Sequence, residues 1–522
     1  MNRLKTVRRK TTVWERILNS LDLSRETAPA LGILMAGFFV VIFLLVLTDG
    51  DMLASVSALI LVGIVVLTFY RIDFSFYLFI FAIILFEQFE ILKFNPLTFR
   101  IQFFKNIESI SYLPSFNAGV LNPLEFEISL FLLVWLLIIA VNKKTKINPI
   151  PVWFAFITFL GFLTASVTYG LLRGGDFLVS LWEVRSLFYL GLMYLIVPQI
   201  IQTKKQLRIL IWVILIAITI KALQGLGWFV LQGFNTEGFA ALTSLSDTVF
   251  MVTIFYLLAA LLLFNVKSGE RIYIIAVLFI LLPGFYMGQH SVAFASLGIA
   301  GFVFFVLMEN KYRWRLIKIL SPLLILGGIY LGVFRNNNSK LTHPVQLVKS
   351  GITEVEKYQN PADYYSKLYD DTENNNFAVI TRQNMITGIG FGRKYNPPLT
   401  PAKITIPIRE FIAHNGNLWL LVKTGIFGFF AFWFFFNAFV FKGTFVYKNL
   451  KDPYLKAVLA VVIIAVINQM VVSYFDLQLT NYRNMVYLGA LMGLLPAIED
   501  MDKYEPPEDK FKDEDGLMEL EH

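Results

Sequence analysis

Apolar residues in this chain come in long runs separated by polar connections. Each run is roughly 18–25 residues long, enough for a helix to cross a hydrocarbon core of about 30 Å. Lipid offers no partner for backbone N–H and C=O groups, so helices are expected, and the alternating pattern of a membrane barrel is absent. We therefore predict an all-α integral membrane protein with about 14 (12–14) transmembrane helices. The predicted spans lie near residues 30–48, 53–69, 74–91, 124–141, 151–171, 180–200, 207–231, 247–266, 272–288, 291–308, 316–334, 416–440, 455–474 and 485–498.

The composition favours the same class. The 522 residues are 57% hydrophobic and 16% charged, with a mean hydropathy of +0.64. A soluble domain is usually about 45–50% apolar and about 25% charged. The chain has no cysteine, which excludes disulfides, thiolate metal sites and a cysteine nucleophile. The net charge of +8 does not indicate nucleic-acid binding, because the basic residues flank the apolar runs.

Basic residues lie on alternate sides of successive predicted spans. Lys and Arg accumulate in cytoplasmic connections, so this side is predicted to be the cytoplasm and both termini lie there. The first long apolar run starts near Leu31 and lacks a convincing processing site, so we expect no cleaved signal peptide. The basic clusters that set this orientation lie within residues 3–10, 143–146, 204–208, 267–271, 311–318 and 442–456.

The pattern divides the chain into five segments. A cytoplasmic N-terminal segment contains a short interfacial helix near residues 12–21. A long outer loop interrupts the rhythm of short connections and is predicted to fold over the membrane, with a helix after Pro361. An acidic cytoplasmic tail ends the chain. The segments are residues 1–29 (N-terminal segment), 30–334 (helical bundle), 335–415 (outer loop), 416–498 (C-terminal helices) and 499–522 (tail).

The strongest local signal lies where the outer loop re-enters the membrane. Residues 414–419 read HNGNLW and residues 423–428 read KTGIFG, and a GIGFG run precedes them at 388–392. This order resembles the superfamily of O-antigen ligases and O-antigen polymerases. The resemblance extends over most of the chain as topology, but it is specific in motif only over about residues 380–430.

The resemblance implies a C-type glycosyltransferase in the bacterial inner membrane, with its active site on the extracytoplasmic face. Its donor would be a glycan on undecaprenyl pyrophosphate. Its acceptor would be a hydroxyl on a lipid, a polysaccharide or a protein, and the choice between ligase and polymerase stays open. The family also implies transfer without a metal or another cofactor, a histidine as base, and arginines that hold the pyrophosphate. Attack opposite the leaving pyrophosphate would invert the anomeric centre.

His414 is the predicted base. An imidazole near its ordinary pKa can take a proton from a sugar hydroxyl at neutral pH. Asn415 and Glu410 lie close enough in sequence to orient it, and Glu410 is an alternative base. In the alternative interpretation, His414 only caps the following helix and Glu410 forms a solvated ion pair with Arg409.

Arg185 is the predicted main ligand of the pyrophosphate. It lies at the outer end of a span, and a guanidinium offers permanently charged, bidentate donors. A charge so near the apolar core is costly, which favours a function. The alternatives are an internal pair with Glu183 or an interfacial anchor. Arg173 is on the same side, where it is either a further ligand or an ordinary loop charge.

One stretch departs from the family pattern. Family members usually carry Ser-Arg-Gly at the outer start of a mid-chain span, whereas residues 287–293 here place His290 at the arginine position. A protonated imidazole could replace part of that arginine, or His290 is structural. Arg382 or Arg393 in the outer loop would then supply the missing charge.

Two further alternatives remain open. Asp49 and Asp51 could hold a divalent cation, but Asp and Gly are ordinary turn residues, so we predict no metal site. The rival function is a transporter of polysaccharide or lipid-linked oligosaccharide, which intramembrane charges such as Glu87, Lys221 and Asp247 would serve. The sequence shows no internal repeat of the transporter kind, which favours the enzyme.

Overall fold

The structure is a computed structural model, and its description covers most of the chain from Met52 to Tyr504. Several predictions lie outside the described residues: the interfacial helix at 12–21, the span at 30–48, the Asp49–Asp51 turn and Arg409. The described ranges are 52–89, 97–101, 103–106, 120–142, 147–231, 233, 243–288, 290–334, 361–395, 398–399 and 410–504.

Every regular element within those ranges is helical. A single 3₁₀ turn, Gln478–Thr480, joins the last two helices. The helices are α1 (Met52–Tyr70), α2 (Ile72–Leu85), α3 (Leu97–Arg100), α4 (Pro123–Val141), α5 (Trp153–Leu172), α6 (Phe177–Ile200), α7 (Lys204–Leu231), α8 (Leu245–Leu263), α9 (Gly269–Tyr286), α10 (Ser291–Leu307), α11 (Asn310–Phe334), α12 (Pro361–Gln383), α13 (Gly416–Asn449), α14 (Pro453–Phe475) and α15 (Tyr482–Tyr504).

Eight of these helices are long and apolar enough to cross a membrane, namely α4 to α9, α13 and α14. Shorter apolar helices occur in α1, α2 and α10. The prediction of an all-α, multi-pass membrane protein is confirmed to this extent. Each predicted span within the described ranges coincides with a helix, whereas the full number of 14 spans stays a prediction.

Two local predictions are answered directly. The helix expected after Pro361 is α12. The stretch around His290, which the sequence left open as one broken element or two helices, contains two, since α9 ends at Tyr286 and α10 begins at Ser291.

The chain divides into two compact units, Met1–Tyr70 with Lys105–Asn122, and Arg71–Phe104 with Pro123–His522. In the first unit, α1 exposes apolar side chains such as Ile60 and Val66, while the Thr68 hydroxyl donates to the Ile64 carbonyl at 2.7 Å. The remaining described helices belong to the second unit.

Small residues allow the closest helix pairing in the second unit, where α15 packs along α6. Gly489 and Gly493 are spaced four residues apart on α15, and a Cβ at Gly493 would lie 2.8 Å from the Val197 side chain. Such spacing lets two membrane helices approach closely, because dispersion contacts rather than water drive their association.

Aromatic side chains fill the contact between α5 and α13. The rings of Phe159 and Phe435 stack with their centroids 5.6 Å apart, and the Phe156 ring packs against Phe435 at 5.5 Å. Helix α14 lies at the centre of the unit, since 83% of an 18-residue apolar stretch of this helix is buried. This packing fixes the ends of α5, α6 and α13, where the candidate site lies.

Candidate active site

The GIGFG loop passes between α5, α6 and the broken helix α13. Gly388, Gly390 and Gly392 have φ angles of 67°, 83° and 76°. Residues other than glycine rarely adopt this region of backbone conformation. A Cβ on Gly390 would overlap the backbone of Gly170 in α5. These glycines are therefore required by conformation and by close backbone approach.

The GIGFG loop packs against the KTGIFG motif of α13. Helix α13 breaks at Gly425, whose φ is 65°, so nearby backbone groups lose their helical partners. The loop supplies replacements, since Ile389 N–H donates to Val422 O at 2.9 Å and Gly390 N–H donates to Lys423 O at 3.0 Å. The two glycine motifs thus form one assembly.

A buried ion pair holds the GIGFG loop in place through hydrogen bonds to its backbone. Glu183 on α6 and Lys423 on α13 are 0% and 1% exposed, and Lys423 Nζ lies 2.8 Å from Glu183 Oε1. The Gly392 N–H donates to Glu183 Oε2 at 2.6 Å, and Lys423 Nζ donates to Arg393 O at 2.7 Å. This pair therefore fixes the backbone on both sides of residue 392.

His414 is exposed at the entrance to α13. Its backbone N–H donates to Glu373 Oε2 at 2.7 Å, and Glu373 is only 4% exposed. Asn415 is the N-cap of α13, because its Oδ1 accepts from the N–H groups of Asn417 and Leu418, each at 3.0 Å. The helix cap is therefore Asn415, and the imidazole of His414 faces the surface.

Glu410 lies beside the segment that follows the glycine loop. Its exposed carboxylate forms an ion pair with Lys394, and its carbonyl accepts from Tyr395 N–H at 2.8 Å. The Tyr395 hydroxyl donates to Ile412 O at 3.1 Å. Residues 393–395 therefore run next to residues 410–412, which lead into His414.

Arg185 is paired with Glu125 of α4, whereas Glu183 is taken by Lys423. Arg185 Nε lies 3.1 Å from Glu125 Oε1, which also accepts from the Tyr189 hydroxyl at 2.7 Å. Arg185 is 9% exposed. The internal pair that the sequence allowed is thus present, but with a different carboxylate.

Arg185 and His414 nevertheless lie at the same end of the bundle. Ser186, next to Arg185, donates its hydroxyl to Leu479 O at 2.6 Å. A Cβ on Gly416, two residues after His414, would lie 3.5 Å from the Leu479 side chain. The 3₁₀ turn after α14 therefore lies between these two predicted site residues.

His290 occupies the start of α10 at this end. The carboxylates of Asp476 and Asp247 interact electrostatically with its imidazole, which also forms a hydrogen bond with the backbone of Thr243. Its Nε2 is buried and has no hydrogen-bond partner among the described residues. Asp476 also neighbours Gly416, since a Cβ there would lie 3.4 Å from its carbonyl. His290 is thus close to the entrance of α13.

Two of the predicted ligands, Arg173 and Arg393, belong to a partly exposed cluster, called here the rim cluster, which also contains Tyr169, Thr387 and Lys394. Arg173 Nη1 donates to the Tyr169 hydroxyl at 2.6 Å, and its guanidinium lies over that ring, 5.4 Å from the centroid. Thr387 Oγ1 lies 3.3 Å from the same hydroxyl, and Arg393 acts on it electrostatically.

Arg173 and Arg393 are far apart in sequence, but both lie near Tyr169, and the Asp176 N–H donates to the carbonyl of Gly392 at 2.8 Å. Arg382 is exposed in the last turn of α12.

A further set of charges lies inside the bundle, and it contains the intramembrane charges Glu87, Lys221 and Asp247 that the sequence had pointed out. This buried ion cluster consists of Glu87, Lys221, Asp247 and Arg483, all at most 3% exposed. Arg483 donates to Glu87 Oε2 at 2.8 Å and to Asp247 Oδ1 at 2.6 Å, and Lys221 pairs with Glu87. Arg483 was missed because it follows a short polar turn and reads as an interfacial charge.

No group of three or more acidic or histidine side chains that could hold a metal ion occurs within the described ranges. The alternative metal ligands Asp49 and Asp51 lie outside them. No protein-family model matches the chain, and no curated protein matches it significantly.

Proposed function

We propose that this protein is a membrane glycosyltransferase related to O-antigen ligases and polymerases. It would transfer a glycan from a polyprenyl-pyrophosphate carrier to an acceptor hydroxyl on the outer face of the membrane. The observation that carries the proposal is the exposed imidazole of His414 at the entrance to α13, next to a segment that bears the cations Arg393 and Lys394.

The arrangement suits glycosyl transfer. The acceptor hydroxyl loses its proton to the imidazole of His414 while its oxygen bonds to the anomeric carbon. The bond from that carbon to the pyrophosphate breaks, and the pyrophosphate leaves with the carrier lipid. Attack from the side opposite the leaving group inverts the anomeric centre. Fixed cations near the leaving group stabilise the charge that develops on it.

The packing beneath the site also supports an enzyme. A catalytic group must be held within a fraction of an ångström of its working position. The Glu183–Lys423 pair, the glycine loop and the Asn415 cap all restrain the backbone near His414. These contacts account for the unusual glycine content of the two motifs, which a simple membrane anchor would not need.

The rival proposal, a transporter, draws on the intramembrane charges. Within the described ranges, Glu87, Lys221 and Asp247 are buried and engaged with Arg483 or one another. A transported ion or sugar would have to displace these pairs. The enzyme therefore accounts better for both the buried and the exposed charges.

The test uses the purified full chain in nanodiscs with a defined polyprenyl-pyrophosphate glycan and a hydroxyl acceptor. His414→Ala should lower the single-turnover transfer rate by about 10²–10⁴-fold at saturating donor, the usual contribution of a positioned base. Lys503→Ala serves as the control and should transfer at the parent rate. Lys503 lies in the last turn of α15, whereas the candidate site lies near the start of that helix. Product length distinguishes ligase from polymerase.

Transfer by His414→Ala at the parent rate would remove the histidine from the mechanism. If Glu410→Gln were slow in its place, Glu410 would be the base. Flux of the donor across proteoliposomes, without transfer to any acceptor, would establish the transporter.

A further inference from the structure

Helix α12 buries one narrow face over its last turns. The buried positions are spaced three and four residues apart, so they lie along one side of the helix. The residues between them are exposed. The buried positions are Glu373, Asn376, Phe377 and Ile380, each at most 5% exposed, and the exposed ones include Asn374, Asn375 and Val379.

Two of the four buried residues are polar, although an apolar side chain would cost less to bury. Each of the two is bonded to backbone outside the helix. Asn376 Nδ2 donates to Leu399 O at 2.9 Å, and Leu399 N–H donates to Asn376 Oδ1 at 2.9 Å. Glu373 Oε2 accepts from His414 N–H at 2.7 Å. The polar residues of this face therefore bind the backbone at two positions between the glycine loop and α13.

The apolar residue Phe377 contacts the same region. Its ring packs against the ring of Tyr395, with the centroids 4.8 Å apart. Tyr395 N–H donates to Glu410 O at 2.8 Å, and the Tyr395 hydroxyl donates to Ile412 O at 3.1 Å. Helix α12 thus supports the backbone just before His414 as well as at His414 itself.

The bond to Glu373 matters because of the position of His414 in the chain. His414 directly precedes Asn415, the N-cap of α13, whose carbonyl accepts from Trp419 N–H at 2.9 Å. The backbone is therefore fixed on both sides of the His414 Cα, and the imidazole can rotate only about its own side-chain bonds. The carboxylate also suits this place, since the N-terminal end of a helix favours a negative charge.

We propose that Glu373 is the positioning residue of His414. The inference rests on the proposed function and names a residue of the outer loop on which that reaction depends. Glu373 bonds the backbone and exchanges no proton with the imidazole. Its carboxylate holds the peptide group of residue 414 in the orientation that directs the imidazole toward the acceptor hydroxyl. Without this bond the peptide group can rotate, and the base moves away from the proton that it must take.

The first experiment measures single-turnover transfer and donor affinity with the purified full chain in nanodiscs. Glu373→Ala should lower the rate at saturating donor by about 10- to 100-fold and leave donor affinity unchanged, because a displacement of about 1 Å is enough for such a loss. Glu373→Gln should retain most of the rate, since its amide oxygen can still accept the N–H. The matched control is Asn375→Ala, on the exposed side of the same helix, which should transfer at the parent rate. A parent rate in Glu373→Ala, or an equal loss in Glu373→Gln, would overturn the proposal.

A second comparison separates positioning from general destabilisation. A positioning residue acts through His414, so Glu373→Ala should cause no further loss of rate once His414→Ala is present. Suppose instead that Glu373→Ala slows the His414→Ala variant by the same factor as it slows the parent. The two losses would then be independent, Glu373 would be a structural residue only, and the proposal would be wrong.

Hydrogen exchange at the His414 amide gives a readout that needs no substrate. The amide should exchange at least about tenfold faster in Glu373→Ala than in the parent, whereas Asn375→Ala should leave its exchange unchanged. Unchanged exchange in Glu373→Ala would show that the bond does not fix this peptide group, and would overturn the proposal.

The two kinds of failure are distinguishable. A parent protein that transfers no glycan, but whose His414 amide loses protection in Glu373→Ala, would retain the contact and refute the proposed function. Normal transfer in the parent and slow transfer in His414→Ala, with Glu373→Ala at the parent rate, would do the reverse.

Discussion

The charged side chains of this protein occupy two contrasting environments. In the buried ion cluster, Arg483 and Lys221 face Glu87 and Asp247, so two cations balance two anions inside the helical bundle. In the rim cluster, the two arginines are Arg173, which is exposed, and Arg393, which is partly exposed.

The difference lies in what each set can do. A charge inside a bundle is costly unless a partner offsets it, and a fully paired set has no capacity left for a ligand. Carboxylates near the rim are already used, since Glu410 binds Lys394 and Asp176 caps α6 by accepting from Val179 N–H. We infer that the buried ion cluster holds helices together, while the rim cluster serves the reaction.

The largest predicted effect is in the buried ion cluster. Arg483→Met leaves Glu87 and Asp247 with one cation between them, and should lower the free energy of unfolding by about 3–5 kcal/mol. Thermal unfolding in detergent measures the loss. Arg173→Met, the exposed control, should change stability by less than about 0.5 kcal/mol. Equal melting of both variants would contradict the division drawn here.

The next largest effect is expected at the buried ion pair between Glu183 and Lys423. Lys423→Met isolates Glu183, and we expect a loss of about 2–3 kcal/mol, because the N–H groups of Gly392 and Trp419 still donate to the carboxylate. Adding Glu183→Gln should recover part of this loss by removing the charge. Lys394→Met at the rim should cost less than about 0.5 kcal/mol. No recovery in the double variant would show that packing, rather than charge, holds the loop.

Asn415 and His414 are neighbours with different predicted roles. Asn415→Ala removes the cap of α13 and should cost about 1 kcal/mol, whereas Asn415→Asp should retain most of it. His414→Ala should leave the melting temperature within about 1 °C of the parent, since its side chain is exposed. A large loss of stability in His414→Ala would make this residue structural, so differential scanning fluorimetry of the three variants separates the roles.

The smallest effect is a surface ion pair far from the site. A hydrogen bond from Lys456, at 2.6 Å, holds the pKa of Glu309 below its ordinary value. The pair therefore stabilises the fold above the ordinary glutamate pKa, and this contribution is lost as the pH falls through the lowered folded value.

The size should be a few tenths of a kcal/mol, because water screens the pair. Melting curves of the parent and Glu309→Gln should converge between about pH 5 and pH 3. A constant difference over that range would exclude titration of Glu309 as the cause.

Hydrophobic pattern alone determined the fold class. Runs that match the thickness of a bilayer must become helices, because lipid cannot satisfy a free backbone, and every predicted span within the described ranges coincides with a helix. The same local logic predicted the helix after Pro361. The glycine-rich stretches of the sequence also indicated where the backbone turns.

Partnership between side chains was decided only by the tertiary structure. Arg185 meets Glu125 rather than Glu183, and Arg173 and Arg393, more than two hundred residues apart, both lie near Tyr169. Arg483 likewise joins charges from α7 and α8 with Glu87, just after α2. Sequence periodicity specifies which face of a helix is apolar, but which faces meet depends on how the helices pack. The pairing of charges therefore follows from the packing of α4, α5, α6, α13 and α15, which no local pattern contains.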